Sequence, residues 1–303
     1  MGASGVHPHL HHPKRFTATC LTLSDDRVET AEGRAYRRRS PLEAVGAAVA
    51  RLLPQGGARR RLRALYHAVM GGGRGIRASL PGGETVRVLP EYRYVGWNPV
   101  EYAAFRAAAR PGGIALDVGA NVGAYALLFG GWMGSRGQVF AFEPSAQAFD
   151  GLAAHVALNG LGGVVRPVRA AVSDREGRAA LAAEGHHGTS RLAPAGGEGT
   201  ETVETVTIDQ FCAREQIVPT LIKIDVEGWE LEALRGARDT IARGGDGLAL
   251  FVEMHPTAWR ERGLSADDVR AELAAQGLRA VPLRPVADPW ALEGECLRLE
   301  RAP

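Results

Sequence analysis

The chain has 303 residues, 45% of them hydrophobic and 23% charged, with a formal net charge of +2. At about 150 residues per domain, this length suits one large domain or a core with an appendage. The small net charge gives no ground for a nucleic-acid or membrane partner. Three cysteines (Cys20, Cys212, Cys296) without a C-x-x-C pair exclude a disulfide scaffold and a cysteine-built zinc site.

No apolar run approaches the ~20 residues of a membrane span. The Gly-, Pro- and His-rich start lacks the apolar core of a secretory signal, so a cytoplasmic protein is expected. Charge is uneven, with 18 Lys/Arg against 8 Asp/Glu in residues 1–110 and 18 against 26 in the rest. Runs such as Arg37-Arg38-Arg39 and Arg59-Arg60-Arg61 read as a solvated basic face or one docking on the acidic remainder.

In chain order, His7, His9, His11 and His12 fall in a tail. A hairpin is predicted over Phe16–Glu29, turning at Ser24-Asp25-Asp26. Helices follow at Pro41–Leu53, with Ser40 as N-cap, and at Ala58–Met70, ended by Gly71-Gly72-Gly73. A second hairpin, Ile76–Leu80 with Glu84–Leu89, turns at Pro81-Gly82-Gly83. Val100–Ala109 reads as a helix. Tyr92, Tyr94 and Trp97 are candidates for a substrate lid or for packing.

From Ile114 the pattern changes. Apolar runs Ile114–Val118, Gln138–Phe142, Val164–Val168, Leu221–Ile224 and Leu248–Val252 alternate with helical segments. Those lie at Tyr125–Trp132, Ala146–Leu158, Ile208–Gln216, Glu230–Ala242 and Ala266–Gln276, the last with a capping-box start at Ser265. Strands apolar on both faces, alternating with helices, predict a doubly wound, mostly parallel α/β sheet. Ligands of such sheets bind at the carboxyl ends of the strands. The organisation expected is an N-terminal α+β appendage, residues 1–95, with a role in substrate choice or oligomerisation, before a main domain, residues 96–303. A homo-oligomer is compatible with it.

The turn after the first core strand reads Asp117-Val118-Gly119-Ala120-Asn121-Val122-Gly123. A dinucleotide fingerprint wants glycine where Asn121 stands, and Asp117 would repel a pyrophosphate. No Gly-Lys-Ser/Thr follows, which excludes a P-loop. S-adenosylmethionine (SAM) fits better, because it has no phosphates. Its carboxylate can be met by the helix N-terminus near Asn121–Gly123, and its cationic groups suit Asp117. Glu143, ending the next strand about twenty residues on, is placed to bind ribose hydroxyls; the other reading of Glu143 is an acid at the start of the next helix. Ser173, at the third strand's exit, is a candidate frame for the adenine, or part of a simple turn.

These stretches, with Phe142-Glu143-Pro144 and the run from Leu221 through Lys223-Ile224-Asp225-Val226-Glu227-Gly228 to Gly236, resemble the FkbM-type SAM-dependent methyltransferases. The resemblance covers about residues 100–255. It implies a Rossmann-like class I methyltransferase fold for residues 96–303 and O-methylation of a hydroxyl on a small natural product or sugar, with S-adenosylhomocysteine (SAH) as product.

Methyl transfer requires the acceptor oxygen to be positioned and its proton removed. Strand alternation puts Lys223 and Asp225 on one face, so Asp225 or Glu227 is expected to neutralise Lys223. Asp225 would face the methyl group; Glu227 acts likewise or caps the next helix. Glu253 and His255 leave the fifth strand on one side, with His255 the candidate base. His186 and His187 are rival bases. No metal is assigned, although Asp225, Glu227, Glu253 and His255 are oxygen and nitrogen donors of a kind that Mg²⁺ accepts. The rival functions are an NAD(P)-linked oxidoreductase, a non-catalytic binding protein that retains the fold, and a nucleic-acid methyltransferase, which draws on the basic N-terminal third but lacks an Asn/Asp-Pro-Pro-aromatic signature.

Overall fold

The computed structural model describes residues 27–29, 35–37, 75–93, 95–183, 190–193 and 200–303. Arg27–Glu29 (β1) pairs antiparallel with Ala35–Arg37 (β2). The rest of the hairpin expected over Phe16–Glu29, the helices at 41–53 and 58–70, the histidine tail, Tyr94, His186 and His187 lie outside the described residues.

Ile76–Ser79 (β3) and Thr85–Val88 (β4) form the second expected hairpin. It is bonded to the main domain. The Arg87 N–H donates to Asn159 Oδ1 (2.8 Å), Asn159 Nδ2 returns a bond to the Arg87 carbonyl (2.7 Å), and the Leu89 N–H donates to His155 Nε2 (2.9 Å). Leu80 shares a core with Trp97, Tyr102 and Phe105. Of the lid candidates, Trp97 is buried with its indole N–H on the Ala124 carbonyl, and Tyr92 packs edge-on against His155, so both serve packing. Pro99–Ala108 (α1) follows, capped by the Asn98 side chain on the Val100 N–H.

The main sheet then builds in alternation. Ile114–Val118 (β5), Ala124–Met133 (α2), Gln138–Phe142 (β6), Ala146–Leu158 (α3) and Val165–Val168 (β7) move the chain outward in one direction. Ala171–Val172 (β8), Gly177–Ala183 (β9), Ser190–Ala193 (β10) and Thr200–Val206 (β11) form a separate four-stranded sheet. The turn read at Ser173 links β8 to β9, and the strands after it are an excursion that sequence reading did not predict. Ile208–Glu215 (α4) returns the chain to Leu221–Ile224 (β12), which pairs in parallel with β5 on its other side.

Glu230–Arg235 (α5) and Arg238–Gly244 (α6) replace the single helix expected over Glu230–Ala242. The break has a packing cause. Gly236 lies against β8, where a Cβ would sit 2.1 Å from the Ser173 carbonyl oxygen, and the Asp209 carboxylate then caps α6 through the Asp239 and Thr240 N–H groups. Ala249–Met254 (β13), Pro256–Glu261 (α7), Ala266–Ala275 (α8, with the expected capping box) and a final hairpin, Leu278–Pro282 (β14) with Glu295–Arg301 (β15), complete the domain.

The seven-stranded order is β14-β15-β13-β12-β5-β6-β7, and β15 alone runs against its neighbours. In β12 and β13 no residue is exposed, as both faces are covered by helices. The strand order reverses between β5 and β12, so the ligand crevice lies where those two strands end. Gly119 fixes their spacing: its φ is +81°, and a Cβ there would stand 1.7 Å from the Asp225 carbonyl oxygen. Gly119→Ala is therefore expected to cost about 3 kcal/mol or more through backbone strain and overpacking, measured as a lowered midpoint in chemical denaturation.

Candidate active site

Three acids and one lysine meet at the switch point. Asp117, the fourth residue of β5, is 1% exposed. Neither of its oxygens meets a donor at hydrogen-bond geometry; the Ala126 N–H offers only a weak pull. Burial pushes its pKa up to about 6, partly offset by the Lys223 ammonium. Lys223 lies buried in β12, its Nζ 2.9 Å from Asp225 Oδ2 and over the Tyr125 ring. Burial opposes its charge, but Asp225, Asp117 and Glu253 keep the ammonium ionised. Of the two expected partners of Lys223, Asp225 is the one that bonds it. Asp225 is held below the usual carboxylate range because Lys223 outweighs its burial.

Glu143 ends β6 and does two things at once. Its Oε2 accepts the Asn121 N–H (2.9 Å) and its Oε1 accepts the Ser145 N–H at the start of α3 (2.8 Å). Burial raises its pKa to about 7 against those two bonds. The N–H groups of Asn121 and Gly123, expected to be open to a ligand carboxylate, are both used inside the protein: Asn121 on Glu143, Gly123 on the Ala120 carbonyl. Asn121 itself has φ 49°, and Gly123 starts α2 with φ 90°. Ser173 bonds to Val206 and Asp174, not to the Asp117–Glu143 group.

On the other side of Asp225 stands His255, just beyond β13. Its Nδ1 lies 2.8 Å from Glu230 Oε1. Its Nε2 faces Glu227 (3.6 Å), Asp225 (3.7 Å) and Glu253 (3.9 Å). Burial disfavours the charged ring, but the bond to Glu230, backed by Asp225 and Glu227, outweighs it and lifts the pKa to about 10. Glu253 is driven well above the usual range by burial and by the neighbouring Asp225. Asp225, Glu253 and His255 each bring one donor atom within 4.8 Å of the others.

Glu227 adopts φ 50°, the left-handed region, which turns the chain ahead of Gly228 and α5. Glu227, Glu253 and His255 line a cavity of about 630 Å³, together with Glu101, Arg284 and Glu295. That volume lies within the range of small-molecule sites. Sequence reading missed Glu230, fully buried at the start of α5, and the cavity walls Glu101 and Glu295. An acid in a helix's first turn resembles an ordinary dipole partner. The one signal was its place directly after Gly228-Trp229, on a turn pinned to the site.

An acid-flanked glycine turn thus stands at the switch point of a Rossmann-like α/β sheet whose last strand in the chain is antiparallel to its neighbours. Residues 117–280 match the family described as Methyltransferase FkbM domain. With more than half of its length matched, the chain belongs to the FkbM methyltransferase family. It is 32% identical over 131 residues to a hexuronic acid methyltransferase, AglP, of Haloferax volcanii, an alignment covering 41% of this chain and 50% of that protein. The chain thus spans about half the length of this curated relative. Among solved structures it is similar to the FkbM methyltransferase of Methylobacillus flagellatus KT (17% identity, 66% of this chain and 51% of that one, TM-score 0.42). It is also similar to Aeropyrum pernix fibrillarin bound to SAM (16%, 65% and 76%, TM-score 0.38). Among the described residues no helix is long and apolar enough to cross a membrane.

Proposed function

We propose that this methyltransferase uses SAM to methylate a hydroxyl group of a small polyhydroxylated acceptor, a sugar or a natural product bearing one. The observation that carries the cofactor reading is Asp117: a buried carboxylate whose oxygens meet no donor at hydrogen-bond geometry, beneath a glycine turn and beside Asp225. Such a group is costly unless a cation or donor completes it, and it suits an ammonium or sulfonium where it would repel a diphosphate. When bound, SAM supplies an electrophilic methyl group. Asp117 and Asp225 would hold its positive charge, and Glu143 its ribose hydroxyls. Glu143 has lone pairs to spare, since each oxygen takes one backbone bond.

On the acceptor side, the cavity receives the hydroxylated molecule and His255 Nε2 takes the hydroxyl proton. The cavity walls carry Glu101, Glu227, Glu253, Glu293 and Glu295 against Arg284 and His255, and Arg284 is already bonded to Glu295 (2.7 Å). A neutral or amine-bearing acceptor suits this wall better than the hexuronic acid named for the archaeal relative. We further propose that the methyltransferase domain begins near residue 75, because the β3–β4 hairpin is bonded to α3, and that residues before it form the appendage.

Calorimetric titration with SAM, SAH and NAD tests the reading, followed by SAH release with neutral, amino and uronic sugars. Binding of SAM and SAH, with turnover on a neutral or amino sugar, is the expected result; NAD binding without SAM binding contradicts it. Asp117 adds a stability signature. Its folded pKa of about 6, against an ordinary value of 3.8, means the folded state loses about 3 kcal/mol as pH rises from about 4 through 6. Asp117→Asn is therefore expected to raise the ligand-free melting temperature at pH 8 while weakening SAM binding about tenfold or more, both checked by thermal shift with and without SAM.

A further inference from the structure

We infer that Glu230 is the positioning residue of this site, fixing which ring nitrogen of His255 carries its proton and how the ring faces the cavity; its consequence for catalysis rests on the reading of His255 as the base. Glu230 is 0% exposed. Three donors from three parts of the fold converge on its carboxylate. The Gly228 N–H (2.9 Å) and His255 Nδ1 (2.8 Å) meet Oε1, and the Trp259 Nε1–H (2.6 Å) meets Oε2.

Because both oxygens already accept bonds from obligate N–H donors, the carboxylate acts as acceptor toward the ring as well, and Nδ1 must carry a hydrogen. The neutral ring then has its lone pair on Nε2, the atom that faces the cavity. Structural anchoring of α7 and the Gly228 turn needs only Trp259 and Gly228. The bond to Nδ1 adds orientation and proton affinity to His255, the same division of labour as in other carboxylate–imidazole pairs.

The remaining charges around the ring sit on the Nε2 side. Asp225 and Glu227 come from the turn after β12, with Lys223 behind Asp225, and Glu253 comes from β13. Glu101 (α1), Arg284 and Glu295 (β15) stand farther out on the cavity wall. None of these changes in Glu230→Gln, which keeps an acceptor but removes the charge behind Nδ1.

The test is nitrogen-15 NMR of the histidines in the ligand-free protein, with His255→Asn to assign the signal. In the wild type, the ring above its titration is expected as the Nδ1–H tautomer. In Glu230→Gln the titration midpoint is expected to fall by about 1–3 pH units, and the rising limb of the pH–rate profile to fall with it, with the limiting kcat on the alkaline plateau reduced about 10- to 100-fold and the acceptor KM little changed. An Nε2–H tautomer in the wild type, or an unmoved midpoint in Glu230→Gln, overturns the inference. If Glu230→Gln fails to fold, the wild-type tautomer still decides. A midpoint that falls while the pH–rate limb stays supports Glu230's hold on the ring and removes His255 as base.

Discussion

Replacing His255 with alanine is expected to lower kcat about 10²- to 10⁴-fold, the usual contribution of a positioned general base, while SAM affinity changes little. The pH dependence carries the stronger signature. The ring holds its proton up to about pH 10 in the free protein, because Glu230, Asp225 and Glu227 outweigh the cost of burying its charge. Only the deprotonated ring can accept the hydroxyl proton. The wild-type kcat/KM should therefore rise with pH from 7 toward about 10, roughly tenfold per unit well below the midpoint, and His255→Ala should lose that slope. SAH release measured across pH 6–10.5 checks both. A wild-type slope retained in His255→Ala would remove His255 as the base and point to Glu253, which burial drives well above the usual range.

Replacing Glu143 with alanine is expected to weaken SAM and SAH binding ten- to a hundredfold, equivalent to losing charge-assisted bonds of about 1.5–3 kcal/mol. At saturating SAM, kcat should move far less. Because burial lifts Glu143 to about 7, wild-type cofactor affinity should tighten as pH rises through that value and the carboxylate ionises, a step absent from Glu143→Ala. Calorimetric titration at pH 6 and 8 reads both effects. Unchanged affinity would leave Glu143 only its bonds to the Asn121 and Ser145 N–H groups, the helix-start role that sequence reading also allowed.

The parallel core was legible because its signals are local. Ile114–Val118, Gln138–Phe142 and Ala146–Leu158 are observed at the boundaries their apolar patterns predict. What escaped depended on distant contacts. The break at Gly236 falls where the carbonyl of Ser173, just past β8 and more than sixty residues earlier, presses against it. The β9–β11 strands are rich in alanine and threonine and carry few large apolar residues, so they gave no apolar run to read. The closing β14–β15 hairpin was hidden by the long link between its strands.

Part of the site was legible in the same way. Lys223 with Asp225, and Glu253 with His255, could be paired from alternation along single strands. Glu230 could not, because its importance lies in meeting His255 across twenty-five positions. The use of the Asn121 N–H by Glu143 was equally invisible, since it joins two turns that only the sheet brings together.

A crystal structure with SAH bound tests the central claim most directly. The account predicts the ribose hydroxyls on the Glu143 carboxylate, the amino group near Asp117, and the sulfur turned toward Asp225 and the His255 cavity. SAH seated elsewhere, or in the crevice with its ribose away from Glu143, would contradict it.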